Sequence, residues 1–161
     1  MTGLGGTDVV HLRAALRVAA RAREQGNLPF GCVVADGAGE VVIEQGNAAL
    51  VPVRDPTAHA ETLAAGLAAR RYEPEALARF TLYANAEPCA MCAGAIYWAG
   101  IGRVVFGLTE RELLSMTGDH PDNPTMDLPC RDVFSAGQRS VEVVGPALVE
   151  ESRAVFDGYW G

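Results

Sequence analysis

The chain has 161 residues, enough for one compact domain and little more. With 49% hydrophobic and 20% charged residues it is not a largely disordered chain. Its net charge of −7 comes from 20 acidic residues against 13 basic ones, all arginine and scattered, which argues against a bare electrostatic grip on nucleic acid.

In chain order, residues 8–24 place Val9, Leu12, Leu16 and Ala19 at helical spacing with Arg13, Arg17 and Arg21 opposite. Thr7 or Asp8 is the expected cap, and Gly26 the expected stop. FGCVVAD, a turn at DGAG and EVVIEQGN read as a β-hairpin. PVRDPTAHAETLAAGLAARR opens a second helix with Pro56 near its first turn. RFTLYAN is a strand, and EPCAMCAGAIYWAG a third helix closed by Gly100. RVVFGL is a strand and TERELLSM a short helix. Residues 117–131 read as a loop, VEVVG as a last strand and ALVEESRAVFDGYW as a last helix. Strands alternating with helices in this way predict a sheet covered by helices on both faces. No repeat or linker divides the chain.

No run approaches the roughly 18–20 apolar residues of a membrane span. The start, MTGLGGTDVV, has neither the basic opening nor the apolar core of a secretion signal. A reduced, cytoplasmic setting is therefore expected, in which the four cysteines read as metal ligands or core residues rather than disulfides.

The chemistry gathers at the starts of the second and third helices. His59 and Glu61 stand two apart, and Cys89 and Cys92 follow in a Cys-x-x-Cys. One His and two Cys leave a tetrahedral zinc one open position, the mark of a catalytic rather than a structural site. Zinc in such a site lowers the pKa of a bound water towards about 7. Both cysteines and His59 are expected in first turns, where unpaired N–H groups and the helix dipole favour thiolate. Glu61 faces the metal without ligating it and is free to move protons. Cys-x-x-Cys alone also serves as a redox pair or half of a structural zinc site, and a lone His in an Ala-rich helix is usually packed. The combination H-x-E followed by P-C-x-x-C is the signature of zinc deaminases. Cys32 reads as core and His11 as structural; Cys130 and His120 read as non-ligands, because a fourth ligand would close the site. Asn47, after Gly46 at a strand end, reads on its own as a turn residue.

TAHAE and EPCAMCAGAI resemble the cytidine and deoxycytidylate deaminase superfamily, in the branch that holds guanine deaminase, fungal cytosine deaminase and bacterial tRNA adenosine deaminase. The resemblance runs through LPFGCVVAD, GNAALVPVRDPTAHAE, LYANAEPCAMCAGAIYWA and RVVFGL. It implies a single zinc-dependent deaminase domain over residues 1–161, an α/β/α sandwich around a mixed five-stranded sheet. It implies that His59, Cys89 and Cys92 hold zinc and that Glu61 shuttles protons. It also implies that Asn47, the backbone at Ala60–Glu61 and the carbonyl of Glu87 contact the base, while the Glu87 side chain is expected to be solvated. The expected partner is a small nucleobase or nucleoside, in a homodimer, without nucleic acid or membrane.

GAIYWA and LPFGCVV resemble the guanine deaminase branch, so a free purine, guanine first, is the expected substrate. Cytosine, another pyrimidine or triazine, and a tRNA adenosine are the alternatives. From another class, an inactive zinc-binding scaffold is the rival, against which the intact Glu61 speaks. Asp119 or Asp122 is a candidate for meeting a base N–H. The tail VFDGYWG reads either as a satellite of its own core or as a lid over a site, its own or a neighbour's. The resemblance favours the lid, and Ala147, Leu148, Val155 and Phe156 are expected to offer an apolar face to a partner.

Overall fold

Strands buried on both faces read as largely apolar runs rather than as alternation, and three segments of this chain read that way. They form β1 (Gly31–Ala35), β3 (Thr81–Ala86) and β4 (Arg103–Leu108), the centre of the sheet in a computed structural model that describes residues 3–161. β2 (Val41–Gly46) and β5 (Glu142–Val144) are its edges, in the order β2-β1-β3-β4-β5. β1 runs antiparallel to both neighbours, whereas β3, β4 and β5 are parallel. Parallel neighbours need crossovers. Helix α4 (Ala90–Ala99) links β3 to β4, and α5 (Glu110–Thr117) with α6 (Cys130–Ser135) links β4 to β5.

Alternation along the central strands sends side chains to two cores. Cys32, Val34, Leu82, Ala84, Val104 and Phe106 meet α4, α6, α2 (Ala60–Arg71) and the short α3 (Pro74–Leu77) on one face. Val33, Ala35, Tyr83 and Val105 meet Leu12, Ala15 and Val18 of α1 (Gly6–Glu24) on the other. α1 approaches so closely that a Cβ at Gly31 would collide with the Ala19 backbone nitrogen, which is why glycine opens β1. A third cluster of Ala86, Leu108, Leu113 and Phe156 closes one end of the sheet, and Trp160 packs against it.

The three-layer α/β/α architecture is the one expected, with differences at element ends. α1 is capped at Gly5, whose N–H is taken by the Asp8 carboxylate at 2.8 Å, so Asp8 works from inside the first turn. α2 starts only at Ala60, and Pro56 sits in a turn outside it. α3 and α6 are too short for periodicity to reveal. The last helix, α7 (Val149–Ala154), is six residues rather than fourteen, followed by turns. Ala147 and Phe156 are buried in their own fold, so they are not the partner-docking face expected of them. No helix among the described residues is long and apolar enough to cross a membrane.

Candidate active site and metal centre

β1 begins, and β2, β3 and β4 end, on one side of the sheet: Gly31 pairs with Gly46, and Ala86 with Leu108. Helices α2 and α4, packed against each other, start on that side. His59 is the N-cap of α2 and Cys89 the N-cap of α4, each in extended backbone, with Cys92 at the third helical position. The first-turn expectation thus holds for Cys92, while His59 and Cys89 stand one step earlier. Gly100, at φ 94°, ends α4 in the left-handed conformation that glycine adopts freely.

These elements bring the predicted ligands together. Cys89 Sγ and Cys92 Sγ each lie 3.5 Å from His59 Nδ1, and the three atoms all fall within 4.8 Å of one another. Zinc bonds of about 2.0 Å to nitrogen and 2.3 Å to sulfur, at tetrahedral angles, space N and S by about 3.5 Å. The donor set therefore fits zinc in both chemistry and spacing, with one position open. Thr62 Oγ1 donates to Cys92 Sγ at 3.3 Å and so steadies that ligand. The Cys89 thiol is pushed down to about 4, chiefly by the hydrogen bond from Cys92 with His59 beside it. Cys92 is pushed up, by that same bond and by burial.

Glu61 is buried, with Oε2 3.4 Å from Cys92 Sγ. Burial pushes its carboxyl up to about 7, although the nearby His59 opposes the shift. Glu61 and His59 line a small recess of about 30 Å³. That recess shares Leu28, His59, Cys89, Glu110 and Asn123 with an outer cavity of about 350 Å³. Leu50, Met91 and Met126 give the outer cavity its apolar walls, Arg54 and Asp122 its charges, and Glu110 a further carboxyl. Asp122 lines it and Asp119 does not, which separates the two candidates.

The remaining predicted residues are placed as follows. Asn47 is buried and lines neither cavity; its Oδ1 accepts the N–H of Ala49, which does line the outer one. Ala60 opens α2, where the helix leaves its first N–H groups without internal partners. The Glu87 side chain is not solvated. It is buried, and its two oxygens accept the N–H groups of Glu110 at 2.9 Å and Cys130 at 2.8 Å. Two helix starts converge on it, which is what makes a buried carboxylate tolerable there. Cys32 and Cys130 are buried away from the ligand cluster, and His11 Nε2 sits 2.8 Å from the Gly39 carbonyl. His120 stacks edge-on against Trp160.

The sequence reading missed Glu110. It is 5% exposed and lines both cavities, and burial, with Cys89, Glu87 and Glu61 nearby, pushes its carboxyl up to about 8. A signal existed: Thr109 with Glu112 three residues on is a capping box, which fixes Glu110 as the first residue of a helix at the catalytic end of β4.

A three-layer sandwich carrying a His-Cys-Cys metal centre beside a buried Glu defines a zinc-dependent hydrolase of the deaminase class. The profile of the cytidine and deoxycytidylate deaminase zinc-binding region matches residues 7–108, which contain all three candidate ligands and Glu61. A Schizosaccharomyces pombe protein described as "Probable cytosine deaminase" is 40% identical over 159 residues, 99% of this chain and 96% of its own. The guanine deaminase of Bacillus subtilis is 44% identical over 72 residues, 44% of each chain. A structure solved in a study of A-to-I editing by tRNA:A34 deaminases superposes with a TM-score of 0.68 at 26% identity, covering 91% of this chain and 99% of that one. The chain belongs to the cytidine and deoxycytidylate deaminase family. It is a zinc-dependent aminohydrolase acting on cyclic amidines. Because tRNA deaminases are among its relatives, an acidic net charge does not exclude a nucleic-acid substrate.

Proposed function

We propose that this protein hydrolytically deaminates a free nucleobase, with cytosine the first base to test and guanine the second. The observation that carries the reading is a buried Glu61 beside the three ligand atoms, on a recess opening into a largely apolar cavity. Cytosine moves ahead of guanine because a relative that matches across 99% of the chain is described as a "Probable cytosine deaminase", whereas the Bacillus subtilis guanine deaminase matches over 72 residues. A single arginine, Arg54, against Glu110 and Asp122 in the cavity lining suits a neutral base better than a polyanion.

Zinc, held by His59, Cys89 and Cys92, would supply a water activated for attack near neutral pH. Glu61 would take a proton from that water and pass it to the ring nitrogen next to the amine-bearing carbon, then take the remaining proton of the added oxygen and give it to the departing amine, which leaves as ammonia as that oxygen becomes the ring carbonyl. The Ala60 amide, the Glu87 carbonyl and Asn47 are the proposed contacts to the base. Trp98 on α4 is 86% exposed, and a second copy of the chain, in the cytoplasm, is its proposed cover.

Ammonia release from cytosine, guanine, their nucleosides and a tRNA anticodon stem-loop tests the reading on zinc-loaded protein. Release from a free base at the highest kcat/KM supports it; turnover confined to nucleosides or to the stem-loop overturns it.

A further inference from the structure

Three glutamates, Glu61, Glu87 and Glu110, line the recess beside His59 and Cys89. They are not equivalent. Both oxygens of Glu87 are engaged by backbone N–H groups, and Glu61 lies against Cys92, placed to carry protons. Glu110 is equally buried, yet its carboxyl takes no hydrogen bond or ion pair from any described residue. It opens into both the recess and the outer cavity, so its oxygens face the space a substrate would fill. It is also rigidly held. Its own N–H is fixed on Glu87, and the Thr109–Glu112 capping box sets the start of its helix. Its oxygens are open to the cavity rather than sealed off, so a ligand that fills that space takes them out of water and must bring a donor to avoid leaving a buried acceptor unmade.

We propose that the Glu110 carboxyl accepts a hydrogen bond from the amino group that the reaction removes, making Glu110 a substrate-contacting residue that separates aminated bases from their oxo products. The assignment rests on the free-base reading above. The substrate amine carries hydrogens to donate, and a carboxyl keeps at least one accepting oxygen in either protonation state. The carbonyl that replaces the amine has no hydrogen to give, so an ionised carboxylate loses this contact to the product, whereas a protonated carboxyl donates to that carbonyl instead. As a carboxylate, Glu110 thereby favours substrate over product in the same pocket and helps the oxo base leave.

Binding is measured by calorimetry on the zinc-loaded Glu61→Gln protein, so that turnover does not intrude, with the pairs cytosine/uracil and guanine/xanthine. In that parent the aminated member of the substrate pair binds more tightly. Glu110→Leu and Glu110→Ala, which remove the acceptor with and without filling its volume, raise the Kd of the aminated base about tenfold or more and move the oxo base by less than about twofold. Glu110→Gln, which keeps one accepting oxygen and the shape, retains most of the affinity. Zinc content is measured for every variant. Equal losses for both members of a pair, or no loss for either, overturn the assignment alone. No binding of any base to the parent overturns the free-base reading, and this assignment falls with it.

Discussion

The carboxylate of Glu87 accepts the backbone N–H of Glu110 at 2.9 Å, which ties the residue two before Cys89 to the start of the helix after β4. Its other oxygen holds Cys130 N–H, so one side chain fixes the approach to the metal helix and the starts of α5 and α6. Glu87→Ala should leave two buried amides unpaired, at about 1–3 kcal/mol each. Urea unfolding should show a loss of about 2–6 kcal/mol, and Glu87→Gln, which turns one donor towards an amide, a smaller one. Unchanged midpoints would mean that water satisfies both amides.

Glu61→Gln should keep zinc and the fold while lowering kcat by at least the roughly 10²–10⁴-fold typical of general acid–base catalysis. Gln preserves the size of the side chain but cannot carry a proton. Metal analysis and steady-state kinetics on one preparation check both halves. His59→Ala or Cys89→Ser should instead lose zinc, and activity with it. Near-normal turnover by Glu61→Gln would move the proton work to another group.

The ligand set was legible because its spacing is chemical: H-x-E and P-C-x-x-C need only two helix starts on one side of a sheet. The central strands were legible because GCVVA, TLYANA and RVVFGL are short, largely apolar runs, with Thr81, Asn85 and Arg103 as their polar members. What failed depended on tertiary partners. Glu87 looked solvated because its two amide partners lie 23 and 43 residues on. Glu110 escaped notice because a charged residue after a strand looks like surface until the fold buries it against Cys89. The last helix read as fourteen residues because ALVEESRAVF carries helical spacing. The structure keeps helix only through Ala154, with Leu148 in a left-handed conformation at its start.

Asp8 sits at the first turn of α1 but is anchored in the sheet, accepting from Arg103 at 2.7 and 3.0 Å and from the Tyr83 hydroxyl at 2.8 Å. Arg103, together with the Gly5 and Tyr83 donors, holds its carboxyl down at about 2, against the opposing effect of burial. A depressed carboxyl contributes stability that is present above its unfolded value of about 3.9. That stability is lost as pH falls towards 2. Asp8→Asn should therefore lower the melting temperature at pH 7 and flatten its fall below pH 4. Because the pair lies near the surface, the loss should be roughly 2 kcal/mol rather than that of a deeply buried pair. A variant that keeps the wild-type slope between pH 4 and pH 2 would assign the acid sensitivity elsewhere.

Of the two roles expected of the tail, its packing shows the first: it lies on its own domain and lines neither cavity. Trp160 packs against the cluster of Ala86, Leu108, Leu113 and Phe156, so it belongs to its own domain. Leu113, together with Phe30 from the rim of that cluster, also lines the recess beside Glu61, so the same packing backs the site. The Trp160 ring further meets His120 at 5.0 Å, next to residues 121–126, which wall the outer cavity. Its Nε1 is buried without a partner, so the ring's packing, not a hydrogen bond, holds it there. Trp160→Ala should cost about 1–3 kcal/mol of stability from lost aromatic burial. It should also raise KM several-fold at a temperature where the protein stays folded, with a smaller change in kcat, because the wall at 121–126 loses its backing. Trp160→Phe keeps most of the packing and removes the unpaired N–H, so it should restore KM. Kinetics of both variants measured well below their melting temperatures decide the matter: a Trp160→Ala protein that is less stable but has an unchanged KM would leave the tail a satellite of the core and nothing more.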